Sequence, residues 1–208
     1  MKGVSEIISA VLVVLIAITL VAMAYTWGLP LIQKMQSRSV TERVAGYFDP
    51  NNPNSLQRKI TTVANKGGYD TFKLDVDGIW IIETASNSIQ FTFFSKATNL
   101  AATGDWVALL AGDNCVSPSD SAYLGSNSFV TCGRADPFGD GYNITYKIWF
   151  RELVDPSNPN VRQKIELEVT GPTTSTGKTI GISRGEITKT STPDGLTITI
   201  TKVKILLG

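Results

Sequence analysis

An unbroken apolar segment near the N-terminus constrains the fold of this chain more than any other feature. Residues 7–33 contain no aspartate, glutamate, lysine or arginine, and they consist mainly of Ile, Val, Leu and Ala. Because a helix rises about 1.5 Å per residue, about 20 such residues span the hydrocarbon core of a bilayer. We predict a hydrophobic helix over residues 4–38 and a separate head over residues 39–208.

The far end of the apolar segment carries the residues expected at a membrane boundary. Tyr25 and Trp27 lie where aromatic side chains meet the lipid headgroups. Gly28 and Pro30 follow, and proline removes a helical hydrogen bond and crowds the preceding turn. We expect these two residues to interrupt or kink the helix, with the kink at Pro30.

Two other kinds of N-terminal segment fit less well. The hydrophobic part of a cleavable secretory signal has about 7–15 residues, which is shorter than this segment. A plain signal anchor fits the length but does not account for Lys2, Gly3 or Glu6. Basic residues at positions 34, 38 and 43 would place the C-terminal part in the cytoplasm by the positive-inside rule. The paired cysteines and the β-rich composition of that part favour the outside instead.

The residues before the apolar segment carry a family resemblance. Lys2-Gly3, followed by Val-Ser-Glu-Ile-Ile and a long apolar helix, resembles the class III signal of archaeal type IV pilins. In that family a prepilin peptidase cuts after such a Lys-Gly pair and leaves the helix in place. The resemblance implies a leader of residues 1–3, cleavage between Gly3 and Val4, and Glu6 as the third residue of the mature chain.

The same resemblance implies a function and a set of partners. The chain would be the structural subunit of an extracellular filament used for surface adhesion, and it would polymerise with itself through the helix. Prepilin peptidase, an assembly ATPase and a membrane platform protein would act on it, and the subunit would reside in the cytoplasmic membrane before assembly. Two alternatives stay open: an archaellin of a motility filament, and a membrane-anchored extracellular binding protein that remains monomeric.

Small residues along the helix suggest where copies could approach one another. Ala10, Ala17 and Ala24 recur every seven positions, and Ala24 and Gly28 form a small-xxx-small pair. A lone anchor with ordinary alanine content would show the same spacing. Glu6 either neutralises the amine freed at Val4 inside an apolar filament core or lies at the positive end of the helix dipole.

Beyond residue 40 the pattern changes to short alternating segments separated by turn sequences. In residues 142–150, Tyr142, Ile144, Tyr146, Ile148 and Phe150 share one face, as in a half-buried strand. Residues 161–169 alternate in the same way, and residues 196–206 change phase, which predicts a bulge near Thr201 and Lys202. We predict further strands at residues 59–65, 72–76, 79–83, 89–94 and 106–110. This pattern predicts an all-β head, an immunoglobulin-like β-sandwich.

Two cysteines flank one turn-rich loop of the head. Cys115 and Cys132 enclose 16 residues rich in Ser, Pro, Asp, Gly and Asn, and no third cysteine is present. We predict a disulfide between them, which requires an oxidising compartment or a hyperthermophilic cytosol. Two unrelated buried thiols are the alternative.

Composition argues against several functional classes. The chain has no histidine and a net charge of +1, which excludes Ser-His-Asp catalysis and gives no basic surface for nucleic acid. The segment 171–179 departs from a true P-loop in glycine spacing. The acidic pairs Asp75/Asp77 and Asp136/Asp140 do not follow the EF-hand pattern. We expect no enzymatic activity, no metal and no cofactor.

Two further residues of the head are predicted to lie on the polar face of one strand. Asn143 begins an Asn-Ile-Thr sequon for N-glycosylation and falls on the polar face of its strand. Trp149 lies on that same face, where either a partner surface or a loop of the head could cover it.

Overall fold

In the computed structural model the chain forms one long helix that runs into a two-sheet head. The structure describes residues 2–102, 104–193 and 195–208, with the backbone alone for residues 2–7. The helices are α1, Lys2–Phe48, and α2, Leu56–Lys66. The strands are β1, Tyr69–Lys73; β2, Ile79–Glu83; β3, Ser88–Ser95; β4, Val107–Ala108; β5, Ala122–Tyr123; β6, Phe129–Phe138; β7, Gly141–Phe150; β8, Glu152–Asp155; β9, Asn158–Val169; β10, Thr174–Ser175; β11, Thr179–Ser191; and β12, Thr197–Leu207.

The strands form two six-stranded sheets, which confirms the prediction of a long helix followed by a β-sandwich head. The first sheet has the order β1-β11-β12-β9-β8-β5, and the second has the order β10-β2-β3-β7-β6-β4. Strands β9 and β12 pair in parallel near the middle of the first sheet, with Ile165 beside Thr201. Strand β7 is central in the second sheet, and its alternating side chains Ile144, Tyr146 and Ile148 are fully buried.

Helix α1 continues further than the sequence pattern predicted. We predicted that the helix ends at residue 38, but it runs to Phe48 and one face of its last two turns is buried in the head. Val40, Val44 and Phe48 recur every four residues, so they lie on one face of the helix and pack into the core. The Phe48 ring stacks on Tyr146 at a centroid distance of 5.0 Å. The end of α1 is therefore part of the head.

The strand predicted at residues 59–65 is wrong, because this segment belongs to α2. Its buried residues Leu56, Ile60, Val63 and Ala64 are spaced by three or four, which is the period of a helix. The helix ends at Gly67, whose φ of 80° suits glycine and whose amide donates a hydrogen bond to the Val63 carbonyl. Helix α2 contacts β1, β11 and β12 of the first sheet.

The predicted bulge near Thr201 and Lys202 is also misplaced. Strand β12 keeps an unbroken parallel register with β9 through both residues. The irregularity lies in its other neighbour, β11, between Arg184 and Ile187. The change of phase in the sequence arises because Ile198 and Ile200 lie on the outer face of the sheet, opposite to Val203 and Ile205.

A small second core covers the outer face of the second sheet. Cys115 and Cys132 form the predicted disulfide, with their Cα atoms 6.1 Å apart. Trp149 is only 8% exposed, because Trp106 packs edge-on against it at 5.4 Å within this cluster. The loop between β3 and β4, which contains Trp106, thus covers Trp149, as one of our two alternatives for this residue expected.

Candidate functional site: the exposed helix and its junction with the head

The N-terminal two-thirds of α1 expose an apolar surface that no part of the head covers. Among the described side chains of this segment, the large hydrophobic ones from Ile8 to Met35 are between 43% and 83% exposed. By length and composition, Ile8–Phe48 is also the one helix in the described chain that could cross a membrane. A surface of this extent requires lipid or protein around it.

The few polar groups on this surface are satisfied inside the helix. The hydroxyl of Thr19 donates to the carbonyl of Leu15 at 2.7 Å, and that of Thr26 lies 3.0 Å from the carbonyl of Ala22. A hydroxyl with an internal partner loses little when it leaves water. The segment can therefore enter either lipid or a bundle of helices without leaving these two groups unpaired.

The predicted small-residue stripe is accessible along the helix. Ala10, Ala17 and Ala24 are exposed, and a spacing of seven keeps them within about 20° per step on one side. Gly28 is half-buried, and a Cβ built at Gly28 would meet no atom within 4 Å. The stripe thus provides room for another backbone, although its role in assembly stays a prediction.

Pro30 does not interrupt the helix. Helix α1 is continuous on both sides of it, so the interruption that we expected at Gly28 and Pro30 is wrong. Proline has no N–H, so the carbonyl of Thr26 lacks its usual donor four residues on. A bend at Pro30 remains a prediction from that missing hydrogen bond.

The residues assigned to processing are only partly described. The backbone of Lys2, Gly3, Val4 and Glu6 is helical, and their side chains lie outside the described part of the structure. The predicted cleavage between Gly3 and Val4, and either role of Glu6, therefore stay predictions from the sequence.

A buried group of hydroxyls joins the helix to the second sheet. Thr41 is 1% exposed, and its Oγ1 lies 2.9 Å from Ser95 Oγ and 3.0 Å from the carbonyl oxygen of Ala97. About two turns earlier on the helix, Gln33 accepts a hydrogen bond from Lys96 through its side-chain oxygen at 3.3 Å. These contacts hold the exposed part of α1 in one orientation relative to the sheet.

The end of α1 is closed by side chains from the segment that follows it. The last carbonyls of a helix have no partner within the helix. Here Asn52 Nδ2 donates to the carbonyl of Gly46 at 2.6 Å, and Gln57 Nε2 donates to that of Phe48 at 2.9 Å. Gln57 is fully buried, so this end of the helix is anchored inside the head.

A lysine of the P-loop-like segment 171–179 forms ion pairs with the first acidic pair, Asp75 and Asp77. Lys178, from the segment that resembles a P-loop, lies 3.0 Å from Asp75 and 3.2 Å from Asp77. Its proximity lowers the pKa of Asp75 through a hydrogen bond and through charge attraction. No group of three His, Cys, Asp or Glu side chains that could hold a metal occurs among the described residues.

The second acidic pair is also engaged by basic residues. Lys96 lies 2.9 Å from Asp140, and its hydrogen bond lowers the pKa of that carboxyl. Arg134 lies 2.9 Å from Asp136. Both carboxylates thus have counter-charges within the head, and partly exposed ion pairs of this kind contribute little to stability.

The sequon falls in the middle of the second sheet. Asn143 is half-buried in β7, opposite Phe94 on one side and Asp136 on the other. Thr145, the third residue of the sequon, is 6% exposed and lies 2.9 Å from the hydroxyl of Thr92. Glycosylation of Asn143 stays a prediction.

Comparisons with known proteins identify no relative of this chain. No family model, no curated protein and no solved structure matches the chain.

Proposed function

We propose that this chain is the structural subunit of an extracellular filament of the archaeal type IV pilus class, assembled through α1. One observation carries the proposal: an uncovered apolar helix whose other end is built, without a linker, into the core of the head. In a filament of such subunits, the packing of the helices directly determines where the heads lie. Surface adhesion is the role that we assign to the filament.

The size of the apolar surface supports assembly through the helix. The 15 Ile, Val, Leu and Met side chains of residues 7–33, at roughly 1.5–3 kcal/mol each, provide tens of kcal/mol of gross driving force for leaving water. Lipid satisfies this force before assembly, so polymerisation needs closer packing of protein on protein and a source of work. We assign that work to an assembly ATPase acting through a membrane platform protein.

Processing completes the proposal. Prepilin peptidase would remove residues 1–3 at the cytoplasmic membrane and free the amine of Val4. Glu6 could then pair with this amine, on its own or a neighbouring chain, so that neither charge is buried alone. The disulfide supports the placement of the head outside the cytoplasm.

A charge on the stripe tests the proposal. Ala17→Glu should abolish filaments, because each subunit would bury an unpaired carboxylate in the core. Ser39→Glu, at an exposed position beyond the apolar segment, should leave assembly intact. Electron microscopy of sheared material reports filaments, and membrane fractionation checks that both variants insert.

Truncation separates the filament subunit from other modes of assembly. A chain of residues 39–208 keeps the buried end of α1 and should be monomeric by light scattering. Filaments formed by this truncated chain would contradict assembly through the helix and would place the contact in the head. A full-length chain that stays monomeric in cells would favour the membrane-anchored binding protein.

A further inference from the structure

An open cleft lies between α2 and the first sheet, at the end where the apolar core stops. Its volume is about 360 Å³, near the lower limit of the roughly 300–1,000 Å³ that small-molecule sites occupy. We call it the polar cleft. Its floor is the inner face of β8, β9 and β12, and its two walls are one face of α2 and the loop of residues 124–129.

The floor is unusual because polar residues occupy an inward-facing position. Gln163 and Thr201 alternate in phase with the core residues Ile165 and Val203, so all four point to the same side of the sheet. Polar side chains on the inner face of a sandwich need partners or solvent. Gln163 is exposed and forms no side-chain hydrogen bond to any described residue.

The walls add more unpaired amide and hydroxyl groups. Asn65 on α2 and Asn127 on the loop line the cleft, and neither side-chain amide has a hydrogen-bond partner in the described chain. Ser128 is 9% exposed, and its buried hydroxyl also has no partner among the described atoms. Buried groups of this kind are normally paired, so an unpaired one at a cleft indicates a ligand or water.

The charge of the cleft is positive. Arg58 and Lys164 are the charged residues among the described ones that line it. Lys164 alternates with Gln163, so its side chain points to the outer face of the sheet. The Arg58 guanidinium lies 5.8 Å from the Phe129 ring centroid, and its Nε donates to the carbonyl of Pro50 at 2.8 Å. No carboxylate of the described chain pairs with Arg58. Its two terminal nitrogens are therefore available.

We propose that the polar cleft binds an acidic sugar residue, with amides and hydroxyls on the sugar hydroxyls and Arg58 on the carboxylate. Asn and Gln amides offer a donor and an acceptor together, which matches neighbouring hydroxyl groups. A guanidinium matches a carboxylate with two parallel hydrogen bonds. The proposal concerns the head alone and does not depend on whether the chain forms filaments.

The test uses the full-length protein in detergent micelles with two matched probes, D-glucuronic acid and D-glucose. Ligand-observed NMR titration should give a Kd on the order of 1 mM for glucuronic acid, as expected for a small open site. Glucose lacks the carboxylate and should bind about tenfold more weakly. Equal binding of the two sugars would overturn the role of Arg58.

Variants locate the binding on the cleft. Gln163→Ala and Asn65→Ala, both at exposed positions, should each weaken glucuronic acid binding about fivefold to tenfold. Arg58→Gln should reduce the affinity for glucuronic acid to the affinity for glucose. Asn160→Ala, on the same strand but outside the cleft, should have no effect. Absence of binding at about 50 mM, some fifty times the expected Kd, or binding unchanged in Gln163→Ala and Asn65→Ala, would refute the site.

Discussion

The buried end of α1 makes a direct prediction about the stability of the head. Phe48 is fully buried, and its ring stacks on Tyr146, Trp80 and Phe91 at centroid distances of 5.0, 6.1 and 6.4 Å. Replacing a buried phenylalanine with alanine costs about 3–5 kcal/mol, from lost burial and from the cavity left behind. Domains of this size are stable by about 5–15 kcal/mol. Phe48→Ala should therefore remove about a fifth or more of the stability of the head.

Urea unfolding of the full-length protein in detergent, followed by near-UV circular dichroism, measures this loss. With a slope of about 2 kcal/mol per molar urea, the midpoint should fall by roughly 2 M. Met35→Ala is the matched control, because Met35 lies on the same helix and is 64% exposed. A midpoint in Phe48→Ala within about 0.3 M of that control would show that the helix does not continue into the core.

Further predictions concern the head. Replacing both Cys115 and Cys132 with alanine should lower its stability by about 3 kcal/mol, because the bridge closes a loop of 17 residues. Urea unfolding measures this loss. Two alkylated thiols in freshly isolated protein would show that the bridge does not form. Lys147 donates to Glu83 at 2.7 Å and lowers the pKa of that carboxyl, so the pair stabilises the fold above the ordinary pKa of 4.5 and loses this contribution as pH falls through the lowered value. Glu83→Gln should therefore make thermal stability less dependent on pH below about 4.5, and an unchanged dependence would contradict this assignment.

Local patterns in the sequence were sufficient for much of the fold. The apolar helix, the alternating faces of β7 and β9, and the disulfide follow from periodicity, length and turn composition, which act within a few residues. The strand predicted at residues 79–83 coincides with β2. These features needed no knowledge of which distant segments pair.

The errors arose where a polar stretch hid a helical period. Residues 34–43 contain several charges, which predicts the end of the apolar helix there, although Val40, Val44 and Phe48 continue one face of it. In α2, the β-branched residues Ile60 and Val63 favour β-structure by local propensity, although the buried residues have the spacing of a helix. Apolar residues spaced by four beyond residue 38 are the sequence signal that predicts both helical segments.

The polar cleft could not have been predicted from the sequence. It forms because α2, the loop of residues 124–129 and strands β8, β9 and β12 meet in space, although up to about 140 residues separate them along the chain. The parallel pairing of β9 with β12 has no local signal, since register depends on the packing of whole faces. Gln163 and Thr201 look like ordinary surface residues until that pairing is known.

The most direct test of the central claim is electron microscopy of material sheared from cells, combined with mass spectrometry of its subunit. Our account predicts filaments whose subunit contains this chain, starts at Val4 and retains the whole apolar helix. A chain that begins at Met1, or one cut beyond residue 20, would contradict the proposed processing. Sheared material that lacks this chain, while the protein stays monomeric in the membrane, would contradict the filament itself.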